Sequence, residues 1–126
     1  MPPRNHKVRS RLLAFALSFP DAWEDDPWGG DTVAKVGKKI FAFFGGENAD
    51  GSMGISVKLP ESNDEALAYP FTEPTGYGLG RAGWVSATFA RGDTPPVDLL
   101  EEWIEESYRA VAPKKLVKLL DTSGDE

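Results

Sequence analysis

Cysteine is absent from the 126 residues, which excludes disulfides, thiolate metal ligands and thiol nucleophiles. Histidine is nearly absent: His6 stands alone, in a tail expected to be mobile, where a general base would lack orientation and burial. No apolar run approaches the roughly 20 residues that cross a bilayer. The opening Met-Pro-Pro-Arg-Asn-His-Lys leads into an arginine-studded segment instead of the apolar core of a signal peptide. The expectation is a cytoplasmic protein with no membrane partner.

Catalytic signals are missing as well. No serine sits in a nucleophile-elbow pattern. Asp21, Glu24, Asp25 and Asp26 lack the alternating spacing and terminal bidentate glutamate of a calcium loop; they read as a solvated acidic turn. Gly76-x-Gly78-x-Gly80 matches neither the dinucleotide fingerprint nor the Walker loop, and it precedes a strand where a helix N-terminus is required. Glu101, Glu102, Glu105 and Glu106 read as the solvated side of a helix. No catalytic residue, cofactor or metal is assigned.

What is present suits one domain. The length allows a single core spanning 1–126, with about 8–120 ordered between flexible ends. Hydrophobic residues make up 40% and charged residues 27%, as in ordinary globular proteins. Four tryptophans, three tyrosines and seven phenylalanines supply bulk for a core. A monomer is the default state.

The net charge of −6 disfavours a polyanionic partner on average, but its distribution is uneven. Arg4, Lys7, Arg9 and Arg11 occupy the first 20 residues with no acid among them, and Arg109, Lys114, Lys115 and Lys118 occupy 107–120 in the same way. If helices at the two ends pack side by side, their outer faces could merge into one positive surface able to contact phosphates. The alternative is ordinary solubilising charge.

Periodicity sets the element order. Leu12, Leu13, Ala16 and Leu17 predict a helix over about 7–17, stopped by Pro20. An acidic, tryptophan-bearing extended stretch follows over 21–31, then a strand over 32–36, a tight turn at Gly37-Lys38, and a second strand over 39–44. That strand, Ile-Phe-Ala-Phe-Phe at its centre, is apolar on both faces and should be central. A glycine-rich hairpin loop at 45–52 leads to a strand over 53–59, where Ile55, Val57 and Leu59 alternate with Gly54, Ser56 and Lys58. A short helix over 62–69 is expected, capped by Ser62 with Glu65 three residues on. A second glycine-rich loop at 74–83 precedes a strand over 84–89. The last long helix begins near 93–96, with Thr94 as a possible cap, and a further short turn spans 114–120. The fold class is α+β, an antiparallel sheet with N- and C-terminal helices packed on one face.

Phe19-Pro20, Trp23, Pro27-Trp28-Gly29, the run from Lys35 to Ala42, Ser56-Val57-Lys58-Leu59-Pro60, Gly83-Trp84-Val85 and Ser107-Tyr108 together resemble the MmcQ/YjbR-like proteins over nearly all of residues 8–120. The resemblance implies a CyaY-like, frataxin-related fold and DNA binding through a double wing of loops. The loops at 45–52 and 74–83 are the natural wing candidates. The first carries Glu47 and Asp50 and no base; the second offers Arg81, with Tyr77 available to stack. Iron handling is set aside, because frataxins carry acids along the first helix and this one is basic.

Two readings of function follow. The first is a non-enzymatic DNA-binding protein using Arg4, Lys7, Arg9, Arg11, Arg109, Lys114, Lys115 and Lys118, assisted by Lys38, Lys39, Lys58, Tyr77 and Arg81. The second is a protein- or small-ligand-binding module with an aromatic surface of Trp23, Trp28, Tyr77 and Trp84.

Overall fold

Apolar residues at helical spacing wind the first segment into α1 (Arg4–Leu17), which starts one turn earlier than the pattern predicts. The computed structural model describes residues 4–27, 29–45, 52–76, 79–90 and 92–123. After α1 come β1 (Ala22–Asp25), β2 (Thr32–Val36), β3 (Lys39–Gly45), β4 (Met53–Lys58), α2 (Asn63–Leu67), β5 (Thr72–Pro74), a 3-10 turn (Leu79–Ala82), β6 (Trp84–Phe89), α3 (Val97–Val111) and α4 (Lys114–Ser123). The strands form one antiparallel sheet of six in the order β1-β2-β3-β4-β6-β5. The mixed α+β architecture is the one expected, and β3 is central. The three-residue β5 is not expected from the pattern; its signal is two β-formers, Phe71 and Thr72, confined between prolines.

Helices α1 and α3 lie together on one face. Leu12, Ala16, Leu100, Ile104 and Tyr108 meet Phe41, Phe44, Ile55 and Val57 in the buried core. Strand alternation sends the other residues, Ser56 and Lys58 on β4 and Trp84 and Ser86 on β6, to the face that carries no helix.

Strand β3 departs from strict alternation because it holds two irregularities against β2. The register jumps between Thr32 and Val33 and again between Ala34 and Lys35, leaving Phe44 and Phe41 without a partner on β2. Such bulges take carbonyls out of the ladder. Both carbonyls are recovered by helix side chains. Arg9 of α1 donates from Nε to Phe44 O at 3.2 Å and from its terminal nitrogen to Gly45 O at 2.6 Å. Ser107 of α3 donates to Phe41 O and accepts the Lys58 N–H at 2.8 Å, so its hydroxyl bridges β3 and β4. Arg9 and Ser107 are the two buried polar residues among those described, and each serves a bulge.

The exit of α1 is held in a similar way. Tyr108 donates its phenol proton to Pro20 O at 2.7 Å, and its ring lies 4.8 Å from that of Phe19. Asp21 next door has φ 57°, a left-handed conformation that costs a non-glycine residue energy and is tolerated best by Asp and Asn. Burial, with the nearby Asp21 charge second, pushes the Tyr108 phenol above its ordinary range.

Two expected caps take other roles. The Ser62 side chain does not cap α2; it donates to Glu106 of α3 at 2.6 Å, while Glu106 also accepts the Glu61 and Ser62 N–H groups. The charge-assisted bond to a carboxylate from another element holds the Ser62 hydroxyl away from the capping position. Helix α3 runs Val97–Val111 with Pro96 at its N-cap and no side-chain cap bond from it, so the expected cap, Thr94, stands two residues before that position.

Candidate functional site

The basic residues singled out at the two chain ends are distributed by what they pair with. Arg9 points inward and is only 8% exposed. Arg11 lies 3.4 Å from Glu101 of α3. Arg109 bridges Glu105 at 3.1 Å and Asp121 of α4 at 2.7 Å; these contacts raise its pKa, Asp121 foremost, and hold the Asp121 carboxyl below the usual carboxylate range. Lys7, Lys114, Lys115 and Lys118 are exposed. Arg4 begins α1, with its side chain outside the described residues. Arg11 meets Glu101 near the start of α3, while Pro20, beyond the end of α1, meets Tyr108 near its end. The two helices therefore run the same way, and the basic start of α1 stands apart from Arg109 and α4. Arg9, Arg11 and Arg109 each engage a carbonyl or a carboxylate.

A different grouping comes from the sheet. The tight turn at Gly37, whose φ of 62° favours glycine, places Lys38 and Lys39 where β3 begins. Antiparallel pairing makes β4 leave and β6 enter at that same end, and Lys58 stands opposite Trp84. Arg81 belongs to the 3-10 turn just before β6, its side chain outside the described residues. Lys38, Lys39 and Lys58, with the backbone of Arg81, thus stand at one end of the sheet. Lys35 lies nearby but is engaged: its ammonium is 3.0 Å from Asp25 and 4.9 Å from the Trp23 ring centre. The hydrogen bond from Lys35 holds the Asp25 carboxyl below its ordinary range.

The wing candidates do not share that end. The chain enters the first loop from Gly45 and leaves it at Ser52 and Met53, at the far end, whereas Thr75 and residues 79–83 lie at the lysine end beside Trp84. Six residues of β4 separate them by roughly 20 Å. Residues 46–51, Trp28 and Tyr77 lie outside the described residues.

The aromatic surface is also rearranged. Trp23 is 43% exposed and is pinned by a 3.0 Å bond from its indole nitrogen to Gly37 O. Trp84 is buried, its ring edge-to-face with Phe43 at 5.3 Å; it forms the floor of the helix-free face and is not itself a free recognition surface.

That face holds a broad recess. A broad concavity of about 1820 Å3 runs over β3, β4, β6 and β5. Phe43, Ile40 and Leu79 give it apolar walls. Three hydroxyls cross its floor in a chain: Ser56 Oγ to Ser86 Oγ at 2.7 Å, and Ser86 Oγ to Thr75 Oγ1 at 2.9 Å. The charged residues that line it are Asp31, Glu73 and Asp93; no lysine or arginine does so among the described residues. Sequence reading passed over this constellation. The alternation of β4 and β6 puts Ser56 and Ser86 on one face, but only the register and β5 bring Thr75 to them.

No described group of three or more histidine, cysteine, aspartate or glutamate residues is placed to hold a metal. No described helix is long and apolar enough to cross a membrane.

Comparison with known proteins fixes the lineage. The YjbR family model matches residues 17–110, and the chain belongs to that family. A Deinococcus radiodurans protein, DR2400, with a domain described as DUF419, is 27% identical over 89% of this chain and 86% of its own, with a TM-score of 0.68. A Pseudomonas syringae protein superposes with a TM-score of 0.60 at 20% identity, covering 81% of this chain and 97% of its own. The second shares the fold alone. Comparison with curated proteins gives no match.

Proposed function

We propose that the protein is a non-enzymatic, cytoplasmic binding module whose binding surface is the helix-free face of a CyaY-like sheet. The observation that carries this reading is the concavity over β3, β4 and β6, with apolar walls and a floor of three linked hydroxyls. Recognition sites combine apolar area with a few fixed polar groups in this way. Its test is an amide chemical-shift screen with a library of neutral fragments. Shifts concentrated at Ile40, Phe43, Ser56 and Ser86, and abolished by Ser86→Trp, support it. Shifts confined to α1 and α3 would overturn it.

A second reading, DNA contact, is favoured by Lys38, Lys39 and Lys58, with the backbone of Arg81, standing at one end of the sheet. Phosphate contacts of this kind weaken with salt. Anisotropy of a labelled random duplex should then fall steeply with added salt and be lost in Lys38→Glu/Lys39→Glu. Arg9→Glu is a poor probe, since it removes the donors to Phe44 O and Gly45 O and should destabilise the fold whatever the ligand.

A further inference from the structure

The volume and charge of the helix-free recess point to a class of occupant. Sites for small molecules enclose roughly 300–1,000 Å3, whereas this concavity is about 1820 Å3 and open. A small molecule would leave most of it wet. A polypeptide segment lying across β3, β4, β6 and β5 would cover it, since neighbouring strands stand about 4.8 Å apart.

The charged residues that line the recess are acidic among those described, while Lys58 lies on the same face toward its other end. Asp31 precedes β2 and Asp93 follows β6, so both stand at the end where β3 leaves the sheet; Glu73 lies on the edge strand β5, opposite Ser86. Of the apolar wall residues, Phe43 stands nearer that end, and Ile40 and Leu79 stand nearer the lysine end. A ligand that buries apolar groups on this floor brings its own charges to the rim, where long cationic side chains reach water and carboxylates together. A nucleic acid would meet like charge at Asp31, Glu73 and Asp93.

We propose that the helix-free face docks a short basic amphipathic polypeptide segment, its apolar side chains on Ile40, Phe43 and Leu79 and its lysines or arginines against Asp31, Glu73 and Asp93. The inference rests on the open-face reading and adds the partner's chemistry to it. Docking takes place on the face and not along the edge. Strand β5 is three residues long and ends in Pro74, which has no N–H to offer a further strand.

The test uses the full chain and two fluorescein-labelled peptides of about ten residues, one of alternating leucine and lysine, the other of leucine and glutamate. Anisotropy is read at low and physiological salt. The basic peptide should bind, and the acidic one should not. The double variant Asp31→Lys/Glu73→Lys, at two exposed positions, should weaken the basic peptide about tenfold, as two exposed attractions become repulsions. Equal binding of both peptides, or an unchanged affinity in the variant, would overturn the proposal. So would a concentration-dependent dimer that excludes the peptide, which would make a second copy the occupant. If the basic peptide fails while neutral fragments still shift the floor amides, the partner class is wrong and the open-face reading stands. If both fail, both fall.

Discussion

Replacing Ser107 with alanine removes one oxygen and orphans two backbone groups. The hydroxyl donates to the carbonyl of fully buried Phe41 and accepts the N–H of Lys58. Strands β3 and β4 pair directly only at Ala42–Val57 and Phe43–Ser56, so the serine takes the place of the ladder where the strands separate. Each buried group left unsatisfied costs about 1–3 kcal/mol. Phe41 O belongs at the upper part of that range and the half-buried Lys58 N–H at the lower, for a total of about 3 kcal/mol. Against a domain stability of about 5–15 kcal/mol this is a large fraction, equivalent to a fall in Tm of roughly 10 °C or more for a chain of this size. Guanidinium unfolding followed by tryptophan fluorescence measures it. The midpoint should drop while the slope stays constant. Ser18→Ala serves as the control: its exposed hydroxyl bonds Phe15 O, and its loss should cost under about 0.5 kcal/mol. If Ser107→Ala loses less than about 1 kcal/mol at constant slope, the strands can close without the serine and the reasoning fails.

Arg9→Met keeps the stem and strips the donors from Phe44 O and Gly45 O; denaturation should show about 2–4 kcal/mol lost. Arg9→Lys should restore only part of that, because an ammonium cannot reproduce the guanidinium fork. Tyr108→Phe should cost about 1–2 kcal/mol by removing the bond to Pro20 O. The raised Tyr108 pKa stabilises the protein below the ordinary tyrosine value and is lost as pH climbs through the folded value; wild type should therefore destabilise above about pH 10 more steeply than Tyr108→Phe. Asp121, held down by Arg109, contributes above the ordinary carboxylate pKa and loses that contribution as pH falls through its folded value. Amide exchange over Lys114–Ser123 should accelerate below about pH 4 before α3 is affected.

The residues that made the family recognisable turn out to hold one another. Tyr108 bonds Pro20, and Ser107 joins Phe41 to Lys58. The Trp23 indole bonds Gly37 O, and Leu59 N–H bonds Gly83 O at 2.9 Å. Those motifs describe how the frame is locked, so the fold was readable from them. Periodicity located α1, α3 and β2 to β4 for the same reason, since each buries one patterned side. The bulges were not readable. Nothing in Ile-Phe-Ala-Phe-Phe distinguishes a strand with two apolar faces from one that slips register twice, and Arg9 looks like any other helix cation until the carbonyls it serves are seen. The hydroxyl chain was hidden because Thr75 joins it only through β5.

The two candidate surfaces share one sheet and carry opposite charge, which makes them separable. Lys38 and Lys39 begin β3, while Asp31 and Asp93 lie beyond its other end, roughly 20 Å away along the strands. At physiological salt the screening length is about 8 Å, so charge at one end acts weakly on a ligand at the other. Lys38→Glu/Lys39→Glu should therefore change the basic peptide's affinity by less than about twofold at physiological salt, and tighten it measurably only at low salt. An effect as large as that of the Asp31/Glu73 reversal would mean that the peptide spans both ends, and the placement of its charges on the acidic rim would have to be abandoned.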